Sequence, residues 1–179
     1  MLPPHEKELI LVLGGARSGK SRFALQYTEA YYHSYLFLAT ARILDDEMAD
    51  RVTLHKASRG ETWQLLEEPL EVSKAIKSGC EGIEAVLLDC LTIWLSNVLL
   101  EKGEEAVRTY QNELLETLAN RNNSIIIVSN EVGAGIVPEN PTARKFRDLA
   151  GGLNQQVASI ADKVVLSVAG IPMYLKGEF

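Results

Sequence analysis

Leu9-Ile10-Leu11-Val12-Leu13-Gly14-Gly15-Ala16-Arg17-Ser18-Gly19-Lys20-Ser21 is the stretch that decides the fold. Five apolar residues in a row, halted by two glycines, have the pattern of a strand buried on both faces. Gly14 to Ser21 matches G-x-x-x-x-G-K-[ST], directly after that strand and opening an amphipathic stretch from Lys20 to Tyr31. The spacing has a mechanism. Glycines let the loop fold with successive amide N–H groups turned towards phosphates, and the helix N-terminus adds its dipole. Lys20 supplies a point charge for the β- and γ-phosphates, and the Ser21 hydroxyl is an oxygen donor for Mg²⁺.

Outward from this loop, short apolar runs alternate with longer amphipathic ones. Tyr35-Leu36-Phe37-Leu38-Ala39 reads as a second strand, Val86-Leu87-Leu88 ending on Asp89 as a third, and Ile125-Ile126-Ile127-Val128 as a fourth. Lys163 to Val168 reads as the final core strand. Helices are expected over Asp45 to Ser58, Leu91 to Leu100, Glu104 to Asn120 and Thr142 to Ala161, with a Gly/Pro/Asn-rich loop from Gly133 to Pro141. Such alternation predicts an α/β fold, a mostly parallel sheet with helices on both faces. No repeat or linker composition interrupts the 179 residues, so a single domain over 1–179 is expected.

Apolar residues make up 46% and charged residues 23% of the chain, which argues against disorder and against a disulfide-stapled miniprotein. Eighteen Lys and Arg against 24 Asp and Glu leave a net charge of −6, the wrong sign for a sequence-blind nucleic-acid binder. Cys80 and Cys90 lack the His and Cys partners of a zinc site and read as buried thiols of a reducing compartment. The N-terminus shows no secretory pattern, and the run Val86 to Leu100 is too short and polar to span a bilayer. A soluble, cytoplasmic protein without a membrane span is expected.

A phosphate loop needs a metal partner, and Asp89, at the carboxyl end of its strand, fits that role; the alternative is a helix cap. The base-reading Asn-Lys-x-Asp of a GTPase is absent from the sequence. An ATPase module remains open, with Arg144 or Arg147 available to reach across an interface. The stretch around His55 adds a different chemistry. Glu47, Arg51, His55 and Arg59 recur every four residues, so a helix would align them on one edge. Arg51, Lys56 and Arg59 make a cationic setting that favours a neutral, nucleophilic imidazole and could receive phosphate charge. On spacing alone, an amphipathic surface helix with an idle His is the more ordinary reading, since such charge runs are usually solvated faces.

These residues carry a resemblance. Gly14–Ser21, Ala39-Thr40-Ala41, Leu44-Asp45-Asp46-Glu47-Met48 and His55-x-x-x-Arg59 resemble the CobU/CobP family, bifunctional adenosylcobinamide kinase and adenosylcobinamide-phosphate guanylyltransferase. Trp63-x-x-x-Glu67-Glu68-Pro69, Leu88-Asp89-Cys90-Leu91-Thr92 and Asn130-Glu131-Val132-Gly133-x-Gly135-Ile136-Val137-Pro138 continue the match. Arg144-x-Phe146-Arg147-Asp148-x-Ala150-Gly151, Asn154-Gln155 and Gly170-Ile171-Pro172 complete it, so the similarity runs in order from about Glu8 to Lys176.

The resemblance implies phosphorylation of adenosylcobinamide by ATP or GTP. It then implies transfer of GMP from GTP, through a guanylylated histidine, to adenosylcobinamide phosphate, giving adenosylcobinamide-GDP. The histidine carried over is His55; many relatives have a second His just before it, where this chain has Leu54. Nucleotide contacts carry over to Gly14, Gly15, Ala16, Arg17, Ser18, Gly19, Lys20 and Ser21, to Ala39, Thr40 and Ala41, to Lys56, Ala57, Ser58 and Arg59, and to Glu67 and Asp89. Catalytic roles fall to His55 and Lys20, and Mg²⁺ to Ser21 and Asp89. A homotrimer and a RecA-like phosphate-loop sheet are likewise implied. A monofunctional phosphate-loop kinase of small molecules and a regulatory nucleotide-binding module are the competing expectations.

Overall fold

The computed structural model describes residues 7–42 and 63–178. In chain order the elements are β1 (Leu9–Gly14), α1 (Lys20–Tyr31), β2 (Tyr35–Ala39), β3 (Gln64–Glu67), α2 (Val72–Ser78), β4 (Ala85–Asp89), α3 (Leu91–Lys102), α4 (Glu104–Ala119), β5 (Ser124–Asn130), α5 (Pro141–Ile160), β6 (Lys163–Val168) and β7 (Ile171–Lys176). The strands form one sheet in the order β3-β2-β4-β5-β1-β6-β7. Every neighbouring pair is parallel except β6 and β7.

The continuous apolar runs follow from burial on both faces, because alternate side chains of one strand enter opposite layers. Ile10, Val12, Leu87, Ile126 and Val128 join Ala24, Leu25 and Tyr27 of α1 in one layer. Leu9, Leu11, Val86, Leu88, Ile125 and Ile127 point the other way, against Trp94 and Leu95 of α3, Leu114 and Leu118 of α4, and Leu153 and Val157 of α5. Burying each such side chain contributes roughly 1.5–3 kcal/mol.

Local chemistry sets the element ends. Asn140 caps α5, its side chain accepting from the N–H groups of Thr142 and Ala143, and Pro141 takes the first helical turn, where no intrahelical N–H bond is lost. The expected loop therefore ends one residue before Pro141. Two elements lack a strong local pattern: β3, with three of its four residues exposed, and the short α2. Lys163 to Val168 is the final core strand, but the chain then turns through Ala169 and Gly170, both at positive φ, and returns as the exposed edge strand β7. Pro172 sits in that outermost strand, where a missing donor is tolerated. The helix expected over Asp45 to Ser58 lies outside the described residues. Among the described residues no helix is long and apolar enough to cross a membrane.

Candidate active site

Parallel pairing brings Gly14, Ala39, Glu67, Asp89 and Asn130 to one edge of the sheet, the carboxyl ends of β1 to β5. Ligands of open α/β sheets bind at this edge. β1 delivers the chain into the loop Gly15–Gly19, and α1 begins at Lys20. Arg17 (φ 57°) and Gly19 (φ 93°) take left-handed backbone to close the turn. Gly14 is required by space: a Cβ there would lie 2.3 Å from Ser18 Oγ and 2.7 Å from the Ser167 carbonyl oxygen.

The loop is braced from behind by the strand beside it. Ser18 carbonyl oxygen accepts from Ser167 Oγ (2.6 Å) and from Gly170 N–H (2.8 Å), so the β6–β7 turn grips the loop's floor. Gly19 packs so closely on that turn that a Cβ would stand 2.9 Å from Gly170 Cα. α1 has neither a side-chain cap nor an acid in its first turn, which leaves the positive end of its dipole available to an anion. Lys20 Nζ donates to the Gly15 carbonyl (3.1 Å), folding the ammonium back over the loop.

Asp89 ends β4, with β5 standing between it and the phosphate loop. Its neighbourhood is built by Thr40, which is fully buried. Thr40 Oγ1 donates to the Cys90 carbonyl (2.8 Å) and accepts from Cys90 N–H (2.9 Å), while Thr40 N–H donates to the Asp89 carbonyl (3.1 Å). Asn97 Nδ2 then holds the Thr40 carbonyl (2.9 Å) and that of Pro69 (3.0 Å). Burial, with the charge of Asp89 adding to it, pushes the Cys90 thiol up to about 11, and the Lys20 ammonium pulls against this shift. Asp89 and Lys20 thus act on this thiol with opposite sign.

β5 closes the gap. Asn130 pairs in register with Gly14, and Glu131 N–H donates to the Gly14 carbonyl (3.0 Å). Glu131 Oε1 accepts from Gly133 N–H (2.6 Å), and a Cβ at 133 would approach that oxygen to 2.8 Å. Asn154 of α5 clamps this corner, accepting from Ser129 Oγ (2.7 Å) and donating to the Asn130 carbonyl (3.2 Å).

The residues singled out in the sequence fall as follows. Gly14 to Ser21, Ala39 to Ala41, Glu67 and Asp89 all lie along the carboxyl edge. Thr40 is there as a buried clamp, its hydroxyl engaged with Cys90. His55, Lys56, Ala57, Ser58 and Arg59 lie outside the described residues. Arg144 turns to its own helix start, donating to the carbonyls of Pro138 and Glu139. Sequence reasoning gave no role to Ser167, Gly170, Asn97 or Asn154; each acts across a long separation, and only Asn154 and Gly170 left a trace, as members of the motifs Asn154-Gln155 and Gly170-Ile171-Pro172.

A phosphate loop opening a helix after the first strand of a doubly covered parallel sheet, with an acid across the neighbouring strand, defines a P-loop nucleotide-binding domain. Its fold is shared with the RadB recombinase, whose crystal structure superposes with a TM-score of 0.53 at 16% identity, over 89% of this chain and 74% of that one. The family described as cobinamide kinase / cobinamide phosphate guanyltransferase (CobU) matches residues 10–175, and the chain belongs to it. It is 42% identical over 168 residues to the bifunctional adenosylcobalamin biosynthesis protein CobP of Pseudomonas aeruginosa, covering 94% of this chain and 97% of that protein. It is 39% identical over 181 residues to the bifunctional adenosylcobalamin biosynthesis protein CobU of Escherichia coli K12, covering 94% and 99%.

Proposed function

We propose that the chain carries out both reactions of its family at this edge, with Lys20 and His55 as catalytic residues. In the first, the hydroxyl oxygen of adenosylcobinamide attacks the γ-phosphorus of ATP or GTP, and the bond to the bridging oxygen breaks as the diphosphate leaves. Charge moves onto the phosphate oxygens, so most of the catalysis is positioning and electrostatic stabilisation by Lys20 and the loop amides. In the second, the His55 imidazole attacks the α-phosphorus of GTP and pyrophosphate departs. A phosphate oxygen of adenosylcobinamide phosphate then displaces the imidazole, giving adenosylcobinamide-GDP.

The observation that carries this reading is Lys20, folded over a braced phosphate loop at the same carboxyl edge of the sheet that Asp89 ends. Gly14 to Ser21, Ala39 to Ala41, Lys56 to Arg59, Glu67 and Asp89 are the nucleotide contacts of the proposal. Thr40 serves it from beneath, holding the backbone of Asp89 and Cys90. Asp89 and Ser21 offer a carboxylate and a hydroxyl, hard oxygen donors of the kind Mg²⁺ takes beside phosphate and water. When bound there, Mg²⁺ neutralises phosphate charge.

The protein works in the cytoplasm as a homotrimer. Ile171, Met173, Tyr174 and Leu175 support the assembly, because they leave the outermost strand with exposed apolar side chains that a subunit contact would cover. The deciding experiment is the intact mass after incubation with GTP and Mg²⁺. One added GMP is expected on the wild type and none on His55→Ala. Phosphate transfer without any adduct would reduce the protein to a monofunctional kinase.

A further inference from the structure

A groove of roughly 740 Å³ opens between the turn after β5 and helix α5. Leu13, the residue before the phosphate loop, forms part of its wall, and Glu131 stands at the same end. Glu131 is tied to the loop through the bond from its N–H to the Gly14 carbonyl. The groove belongs to the face of the sheet covered by α5, opposite α1. A second substrate could therefore approach the phosphate end of a nucleotide from here without crossing the helix that binds it.

The wall contributed by α5 carries a cost that no packing among the described residues explains. Gly151 and Gly152 sit consecutively inside a 20-residue helix. Glycine there is less favourable than alanine by about 0.8–1 kcal/mol per residue. Among the described residues a Cβ on either would meet nothing within 4 Å, so no packing there excludes a side chain. Gly133, Gly135 and Val137, from the segment after β5, and Gln155 of α5 also line the groove. The result is a broad surface of bare backbone flanked by the side-chain amides of Asn154 and Gln155 and by the ion-paired Arg147 and Asp148. It suits a flat, largely apolar ring fringed by amide groups, which would hydrogen-bond to exposed backbone and to Gln155.

We infer that this groove seats the corrinoid acceptor, with Glu131 receiving the proton of its hydroxyl; the inference rests on the kinase reading above. Gly133 N–H fixes Glu131 Oε1 (2.6 Å), which holds the carboxylate at the loop end of the groove. As the acceptor oxygen bonds to the γ-phosphorus, its proton passes to Glu131 and then to solvent, while the nucleoside diphosphate leaves with the bridging electron pair.

Steady-state phosphorylation of adenosylcobinamide by the full chain tests the assignment. Gly152→Leu fills the groove, and its KM for adenosylcobinamide should rise by about tenfold or more, with KM for ATP within about twofold. Gly152→Ala improves helix propensity and so guards against misfolding; it should raise the same KM by a smaller factor. Glu131→Gln preserves shape and should lower kcat about 100-fold or more, with little change in either KM. Unchanged acceptor KM in both Gly152 variants overturns the groove, and full kcat in Glu131→Gln overturns the proton acceptor. An altered assembly mass of Gly152→Leu with unchanged KM would mean that a second copy fills the groove, which also overturns the inference. A wild type unable to phosphorylate adenosylcobinamide removes the kinase reading itself, and this inference with it.

Discussion

Thr40 and Cys90 exchange two hydrogen bonds through one hydroxyl: Thr40 Oγ1 donates to the Cys90 carbonyl at 2.8 Å and accepts from Cys90 N–H at 2.9 Å. The two residues are 50 positions apart, and the pair fixes the backbone leaving β4 at the point where Asp89 must be aimed. Thr40→Val keeps the shape and removes both bonds, leaving the buried Cys90 N–H unsatisfied, while the Cys90 carbonyl keeps the bond from Trp94 N–H (3.1 Å). Urea unfolding should report a loss of about 1–3 kcal/mol. Thr40→Ser keeps the hydroxyl and should recover most of it. Equal stability of the Val and Ser variants would show that the hydroxyl does not hold this corner.

Two adjacent glycines of the loop should respond differently to the same added methyl group. Gly14→Ala pushes a Cβ into Ser18 Oγ and the Ser167 carbonyl, while Gly15→Ala meets nothing within 4 Å. Overpacking of this kind costs about 1–3 kcal/mol and would distort the loop. Titration with ATP followed by calorimetry should show affinity strongly reduced in Gly14→Ala. Gly15→Ala should retain the melting temperature of the wild type. Matching melting temperatures for the two variants would contradict the packing described around Gly14.

What the sequence disclosed depended on whether the signal was local. β1, β2, β4 and β5 were legible because burial on both faces writes an unbroken apolar run, and the loop was legible because phosphate binding needs those residue types in that order. β3 left little pattern: three of its four residues are exposed, and it is anchored by Trp63 stacking 4.3 Å from Tyr35. β7 was hidden by Pro172 and by its exposed face. The sites of Asn130 and Glu131 could be guessed as a strand end, but their place between Gly14 and Asp89 depends on strand order, which no local pattern encodes. The grip of Ser167 on Ser18 spans 149 positions and is visible only once the sheet is assembled.

Among the described residues Lys20 makes one hydrogen bond, exposed, to the Gly15 carbonyl, so its removal should barely alter stability. Its effect on chemistry should be large, because in the proposed mechanism its ammonium meets the developing phosphate charge. In Lys20→Ala, phosphoryl transfer should fall about 100-fold or more while the melting temperature stays close to the wild-type value. Lys20→Arg should rescue little, since a planar fork cannot replace a compact charge in a loop this tight. Kinase activity near wild type in Lys20→Ala would rule out the phosphate-loop assignment.

Alkaline pH should loosen the fold through Cys90 before it does so through the tyrosines. Burial first, and then the nearby Asp89 charge, raise the Cys90 thiol from 9.0 to about 11. Between those values the unfolded chain gives up a proton that the folded chain retains. The thiol's contribution is therefore intact below about pH 9 and is lost as pH climbs towards 11, a change of about 2–3 kcal/mol at most. Tyr32, pushed up to about 12 mainly by burial, and Tyr27, raised beyond it by burial and by Glu8, add losses above about pH 10. Unfolding free energies measured from pH 8 to pH 10.5 should decline more gently in Cys90→Ala than in the wild type. Native Cys90 should also resist alkylation at pH 8, because a buried thiol held above its ordinary value presents almost no thiolate. Parallel pH profiles for the two proteins would show that Cys90 does not titrate on unfolding as its burial requires.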